Sequence, residues 1–160
     1  MLLRKRVWDI MREDFPYVKE DVSLTTVIKT LNDYRNNKNE DINCVVVYSL
    51  DDKFLGIISM WNIINSLGPC LLKETALWDD EVNWDKAFTR ACRICSQVGL
   101  TDIVQTDVPR VKPNDPLAKI MEIFLDYRRG RAIVEEGGKV IGLVLLSDLY
   151  KEVARDVENW

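Results

Sequence analysis

A chain of 160 residues is long enough for one domain or two small repeats, and buries roughly 70% of the surface its unfolded form exposes. Asp plus Glu number 26 against 22 Lys plus Arg, so the net charge of −4 argues against a chain-wide attraction to nucleic acid or an anionic membrane. Histidine is absent, which removes the commonest general base, the commonest metal ligand and every His-dependent triad.

With 47% hydrophobic and 30% charged residues, the composition is that of an ordinary globular protein. Four scattered cysteines, Cys44, Cys70, Cys92 and Cys95, do not make a secreted disulfide framework and read as buried, inert thiols. The basic start, Met1-Leu2-Leu3-Arg4-Lys5-Arg6, has no apolar stretch behind it, and no uncharged apolar run reaches the roughly 18 residues that span a bilayer. The expectation is a reduced, cytoplasmic protein with no nucleic-acid or membrane partner.

In chain order, a short strand at Tyr17-Val18 precedes an amphipathic helix with apolar Leu24, Val27, Ile28 and Leu31, capped by Asp21 or Ser23. Strands follow at Cys44 to Tyr48 and Phe54 to Ser59, turned at Asp51-Asp52. A helix over about 60–67 ends where Gly68-Pro69 stops it. Residues 74 to 85 carry five acidic and no basic side chains and read as a solvated connection, in which Trp78 and Trp84 favour a packed contact over a free linker. Trp84, Phe88, Ala91, Cys95 and Val98 then recur at helical spacing, which predicts one buried helix face. The second series runs through a strand at Arg110-Val111 and a helix with apolar Leu117, Ile120, Met121 and Phe124, capped by Asn114 or Asp115. Strands Arg131 to Glu135 and Val140 to Leu145, turned at Gly137-Gly138, lead to a last helix over 147–157.

The two series are one unit written twice. A shift of 93 residues lays Asp9-Ile10 on Asp102-Ile103, Asp14, Pro16, Val18 and Lys19 on Asp107, Pro109, Val111 and Lys112, and Asp33-Tyr34-Arg35 on Asp126-Tyr127-Arg128. Ten of the 27 positions from Asp9 to Arg35 are identical at that offset. After Arg35 the offset drops to 86, the first copy carrying seven extra residues in the polar stretch 36–42, and Gly56-Ile57-Ile58 then meets Gly142-Leu143-Val144. The order β-α-β-β-α occurs twice, an α/β arrangement with repeat 1 over 1–67, a helical connection over 68–98 and repeat 2 over 99–160.

Val7-Trp8-Asp9-Ile10-Met11, the two Asp-x-Pro-x-Val-Lys segments, and the turns Gly56-Ile57-Ile58-Ser59-Met60-Trp61-Asn62 and Gly142-Leu143-Val144-Leu145-Leu146-Ser147-Asp148 resemble a tandem CBS-domain protein of the stand-alone prokaryotic type, the paired module often called a Bateman module. The resemblance covers nearly all of Val7 to Val157 outside the connection. It implies two β-α-β-β-α repeats packed with pseudo-twofold symmetry, frequent homodimers, and clefts that take AMP, ADP, ATP, S-adenosylmethionine or a related adenosyl ligand without catalysis.

The family's turn runs Gly, two apolar residues, Thr or Ser, two further residues, then Asp. The hydroxyl and the first helical N–H groups suit a phosphate, and the carboxylate suits both ribose hydroxyls. The first copy keeps the hydroxyl at Ser59 but has Asn62 for the carboxylate; the second keeps Asp148 but has Leu145 for the hydroxyl. The expected ligand residues are therefore Asp148, Arg131, Ala132, Ile133 and Leu145 in the second copy, the favoured site, and Ser59 and Asn62 in the first. Arg128, Arg129 and Arg131 read as a solvated helix end more readily than as a phosphate clamp, while Ser59, Asn62, Ser147 and Asp148 read equally as helix caps and as ligand residues. Three functions stay open: a ligand-sensing module acting on a partner protein in trans, an interaction module with degenerate clefts, and a metal or thiol activity on Cys92 and Cys95. No nucleophile or general-base constellation supports the last, and neither catalytic residues nor a metal are expected.

Overall fold

The computed structural model describes residues 5–38, 41–76, 83–127 and 130–159. The elements are α1 (Val7–Ile10), β1 (Tyr17–Lys19), α2 (Leu24–Asn37), β2 (Cys44–Tyr48), β3 (Phe54–Ser59), α3 (Met60–Ala76), α4 (Trp84–Cys95), β4 (Arg110–Val111), α5 (Leu117–Tyr127), β5 (Arg131–Glu136), β6 (Lys139–Leu145) and α6 (Leu146–Glu158). Two three-stranded sheets have the orders β1-β2-β3 and β4-β5-β6, each with one parallel and one antiparallel pairing. This is the β-α-β-β-α order read from the sequence, twice.

The hairpins turn where left-handed backbone is available. Gly137 and Gly138 sit at φ 59° and 79°, while the first copy places Asp52 at φ 62°, a conformation that aspartate tolerates better than most residues. Ser23 caps α2, its hydroxyl accepting the Thr26 N–H. Helix α5 starts at Leu117 after Pro116, and Asp115 instead accepts the Lys112 N–H at 2.8 Å in the turn before it.

Contacts divide the chain into two compact units: Met1–Phe15 with Asp107–Trp160, and Pro16–Thr106. The segment that leads each copy is thus built into the unit holding the other copy's strands. In the second-copy unit, Arg12 and Leu143 exchange both backbone hydrogen bonds, N–H to O at 2.8 and 3.0 Å, along the open edge of β6. In the first-copy unit, Gln105 and Ile57 do the same along β3, at 2.9 and 3.0 Å. These rungs cover edges that would otherwise present unpaired N–H and C=O groups. The second-copy core is Val7, Val111, Leu117, Ile120, Phe124, Ala132, Val134, Val144 and Leu149, with Val7 supplied by the leading segment. The first-copy unit buries Leu24, Val27, Ile42, Val45, Ile57 and Ile58 completely.

Three expectations are corrected by packing. Helix α3 runs through Gly68-Pro69 to Ala76. Proline inside a helix removes one hydrogen bond at a cost of about 3 kcal/mol, which contact with α4 along this stretch offsets. Helix α4 buries Ala87, Ala91 and Cys95, leaving Trp84 and Phe88 exposed; small residues let two helices approach closely, and the aromatics fall on the neighbouring face. Met121 of α5 is likewise exposed while Leu117, Ile120 and Phe124 are buried. Trp78, like Arg128 and Arg129, lies outside the described residues.

Cys70 of α3 and Cys95 of α4 form a disulfide, with Cα atoms 6.4 Å apart, rather than remaining separate inert thiols. Cross-linking residues 25 apart in sequence is worth about 3 kcal/mol of loop-closure entropy. The oxidised protein should therefore melt several degrees above the C70S/C95S variant and above the same protein in reductant. Coincident melts would show that the two thiols do not cross-link in the folded protein.

Candidate functional site at the strand-to-helix turns

The two Gly-centred turns place comparable side chains at the start of α3 and of α6, and each turn satisfies its own polar groups differently. Ser59 ends β3 and stands just before the first residue of α3, so its hydroxyl is at the N-cap and Asn62 is at the third helical position. Asn62 Oδ1 accepts both the Ser59 N–H and the Ser59 hydroxyl at 2.8 Å, and the Asn62 N–H donates back to Ser59 Oγ at 3.1 Å. This is a reciprocal cap of the capping-box type. Ser59 is buried, so the capping reading describes what the hydroxyl and the amide oxygen do here.

At the second-copy turn Leu145 occupies the N-cap position and has no side-chain acceptor. Asp148, third in α6, supplies the missing half by accepting the Leu145 N–H at 2.9 Å. Its carboxylate also meets Arg12, from the leading segment. Arg12 Nε donates to both carboxylate oxygens at 3.1 Å, and one terminal guanidinium nitrogen donates to Oδ1 at 2.9 Å. Both side chains are nearly buried, at 12% and 10% exposure, so this is a shielded ion pair. The fork of the guanidinium lies along the edge that joins the two carboxylate oxygens.

Arg131 begins β5 directly opposite Leu145 in the antiparallel register, its side chain half-buried. The Leu146 N–H donates to the Gly130 carbonyl at 2.7 Å, pinning the start of β5 to the start of α6. A Cβ on Gly130 would lie 2.9 Å from that of Leu146, which is why this position has no side chain. Ala132 and Ile133 are fully buried in β5. The Ile133 N–H is already given to the Pro109 carbonyl at 2.9 Å. β4 pairs only with Ile133 and Val134, so the backbone at Ala132 lies past the end of the parallel pairing. The fold thus gathers Arg131, Leu145 and Asp148 at one turn with Ala132 beside them, and keeps Ser59 and Asn62 together in the other unit.

Arg12 was not among the residues singled out from the sequence, although the repeat held the signal. At the two offsets Arg12 corresponds to Gln105 and Asp148 to Asn62. A charged pair in one unit stands where the other has two amides.

The CBS domain profile matches residues 7–68 and 100–155. Among solved structures, a CBS-domain containing protein from Agrobacterium tumefaciens is 21% identical, with a TM-score of 0.65 over 91% of each chain. The CBS domain of a CBS domain containing membrane protein from Sphaerobacter thermophilus is 18% identical, with a TM-score of 0.70 over 94% of this chain and 88% of that one. The CBS domain pair of protein MJ0100, solved with 5′-methylthioadenosine and S-adenosyl-L-methionine, is 15% identical, with a TM-score of 0.65 over 95% and 98%. No curated protein matches significantly. With both β-α-β-β-α copies matched and the fold shared, this chain belongs to the CBS domain family.

Proposed function

We propose that this chain is a non-catalytic regulatory module that takes an adenosyl ligand at the second-copy turn and passes its occupancy to a partner protein in trans. The observation that carries this reading is a carboxylate, Asp148, held at the third position of α6 beside an arginine from each flank, Arg12 in direct contact and Arg131 on the adjoining strand. A ribose diol offers two donors to such a carboxylate, and a guanidinium can meet a phosphate with two hydrogen bonds. The backbone of β5 at Ala132, past the end of the pairing with β4, offers an edge for a base. The adenosyl ligands carried by protein MJ0100 support the ligand class. Signalling then needs only that the ligand prefer one of two arrangements of the protein or of its dimer.

A thermal melt with AMP, ADP, ATP and S-adenosylmethionine tests it. A ligand at 100 times its Kd adds about 2.7 kcal/mol, a shift of several degrees. A selective rise with one of the four is the expected result. Flat melts with all four, on protein shown to be nucleotide-free, would overturn the sensing function.

A second reading, an interaction module, is favoured by one observation. Met121, Leu125, Leu146 and Tyr150 are all exposed along an apolar groove between α5 and α6, with a volume of about 350 Å³. Apolar surface collected in this way marks contact with another protein, and a second copy of the chain would serve. Sedimentation of wild type against L125E measures whether a homodimer depends on this face.

A further inference from the structure

We propose that Arg12 is a latch on Asp148 that exchanges partners when a ligand arrives, so that the second-copy turn selects ribosyl ligands that also carry an anionic group. The inference rests on the reading of Asp148 as the ribose position and extends it to ligand selection. A cis-diol and a guanidinium want the same thing from a carboxylate, namely donation to both oxygens along their common edge. Arg12 holds that edge through Nε and a terminal nitrogen, at 2.9 to 3.1 Å, while the Leu145 N–H holds Oδ2 from the helix side. A diol therefore enters only as Arg12 leaves.

In its pair with Asp148 the guanidinium is 12% exposed, and a charge moved off the carboxylate within so poorly solvated a pocket needs a replacement anion. A phosphate on the same ligand supplies it. The exchange trades one charge-assisted pair for two, carboxylate to diol and guanidinium to phosphate. A neutral nucleoside supplies the first and strands the second.

The other copy argues that the two residues act as a pair. At the position of Arg12 it has Gln105, bound to Ile57 through the same two backbone hydrogen bonds, and at the position of Asp148 it has Asn62. If Arg12 served only to seal the edge of β6, its backbone alone would suffice, as that of Gln105 does along β3. The side chains change together, from two charges to two amides, so the charge of Arg12 answers to that of Asp148.

AMP and adenosine differ by the phosphate alone, and calorimetric titration of each into the intact protein and into R12Q reads the latch. Wild type should bind AMP about 30-fold more tightly than adenosine, the worth of one charge-assisted contact. In R12Q, which copies the amide of the first repeat, that ratio should fall to within a few-fold of one, adenosine gaining and AMP losing. R12K, with the charge but without the fork, should lie between the two and guards against a folding defect in R12Q. Equal affinities for the two ligands in wild type, or an unchanged ratio in R12Q, would overturn the latch and leave Asp148 as the ribose position. If neither ligand binds wild type, R12K or R12Q, the ribose position itself is wrong and the latch falls with it.

Discussion

Asp148→Ala is expected to lower the unfolding free energy by about 3 kcal/mol, the typical cost of breaking a shielded ion pair from one side. The loss has two sources. Arg12 keeps its charge in a pocket where it is 12% exposed, and the Leu145 N–H at the start of α6 loses its acceptor. The double substitution R12Q/D148N rebuilds the amide pair of the first copy and should recover most of the loss, since it removes both charges at once and leaves an acceptor at the third helical position. Urea unfolding of the two single variants and the double closes the cycle, with an expected coupling above about 2 kcal/mol. A single-variant loss under about 1 kcal/mol would place this pair with exposed ion pairs, which water screens.

The second large effect is steric. Gly56→Ala should be far more damaging than Gly142→Ala, although the two glycines occupy equivalent positions. A Cβ on Gly56 would press on the carbonyl oxygen of Gln105, with the carbonyl carbon at 2.9 Å and Val104 Cγ1 at 2.7 Å. Two of those three atoms are backbone, and that backbone is held by its rung to Ile57. On Gly142 the added carbon meets Met11 Sδ at 2.9 Å and the Arg12 carbonyl oxygen at 3.2 Å. A methionine side chain can turn away, and a few tenths of an ångström relieve the carbonyl. We expect about 3 kcal/mol or more for G56A and about 1 kcal/mol for G142A, again from urea unfolding. Equal losses would show that the Gln105 segment yields as readily as a methionine.

Much of the architecture could be read locally. Short apolar strands, turn residues at Asp51-Asp52 and Gly137-Gly138, and the helical spacing of Leu24, Val27 and Leu31 each act within a few residues, and each appears in the fold where the pattern put it. The repeat doubled the evidence for every one. The resemblance to the CBS family rested on the same short segments, and the family match confirms it.

The failures share a different property. Gly68-Pro69 reads as a helix stop because proline's cost is local, while the contact with α4 that outweighs it comes from a distant segment. The spacing of Trp84, Phe88, Ala91 and Cys95 says that α4 has an apolar stripe, but which edge is buried depends on how close α3 comes, and closeness favours the alanines. Asp148 was legible as a carboxylate at a turn. No local pattern named its partner, which only a comparison of the two copies hints at, because Arg12 lies 136 residues away and reaches it through the exchange of leading segments between the units.

The sequence by itself therefore determined the repeat, the order of its strands and helices, and the residue types at each turn, because those follow from periodicity and backbone preference over a few residues. Only the tertiary structure decided which helix faces are buried and that Asp148 meets an arginine before it can meet a ligand. Those outcomes depend on atoms brought together from opposite ends of the chain, and no local pattern carries that distance.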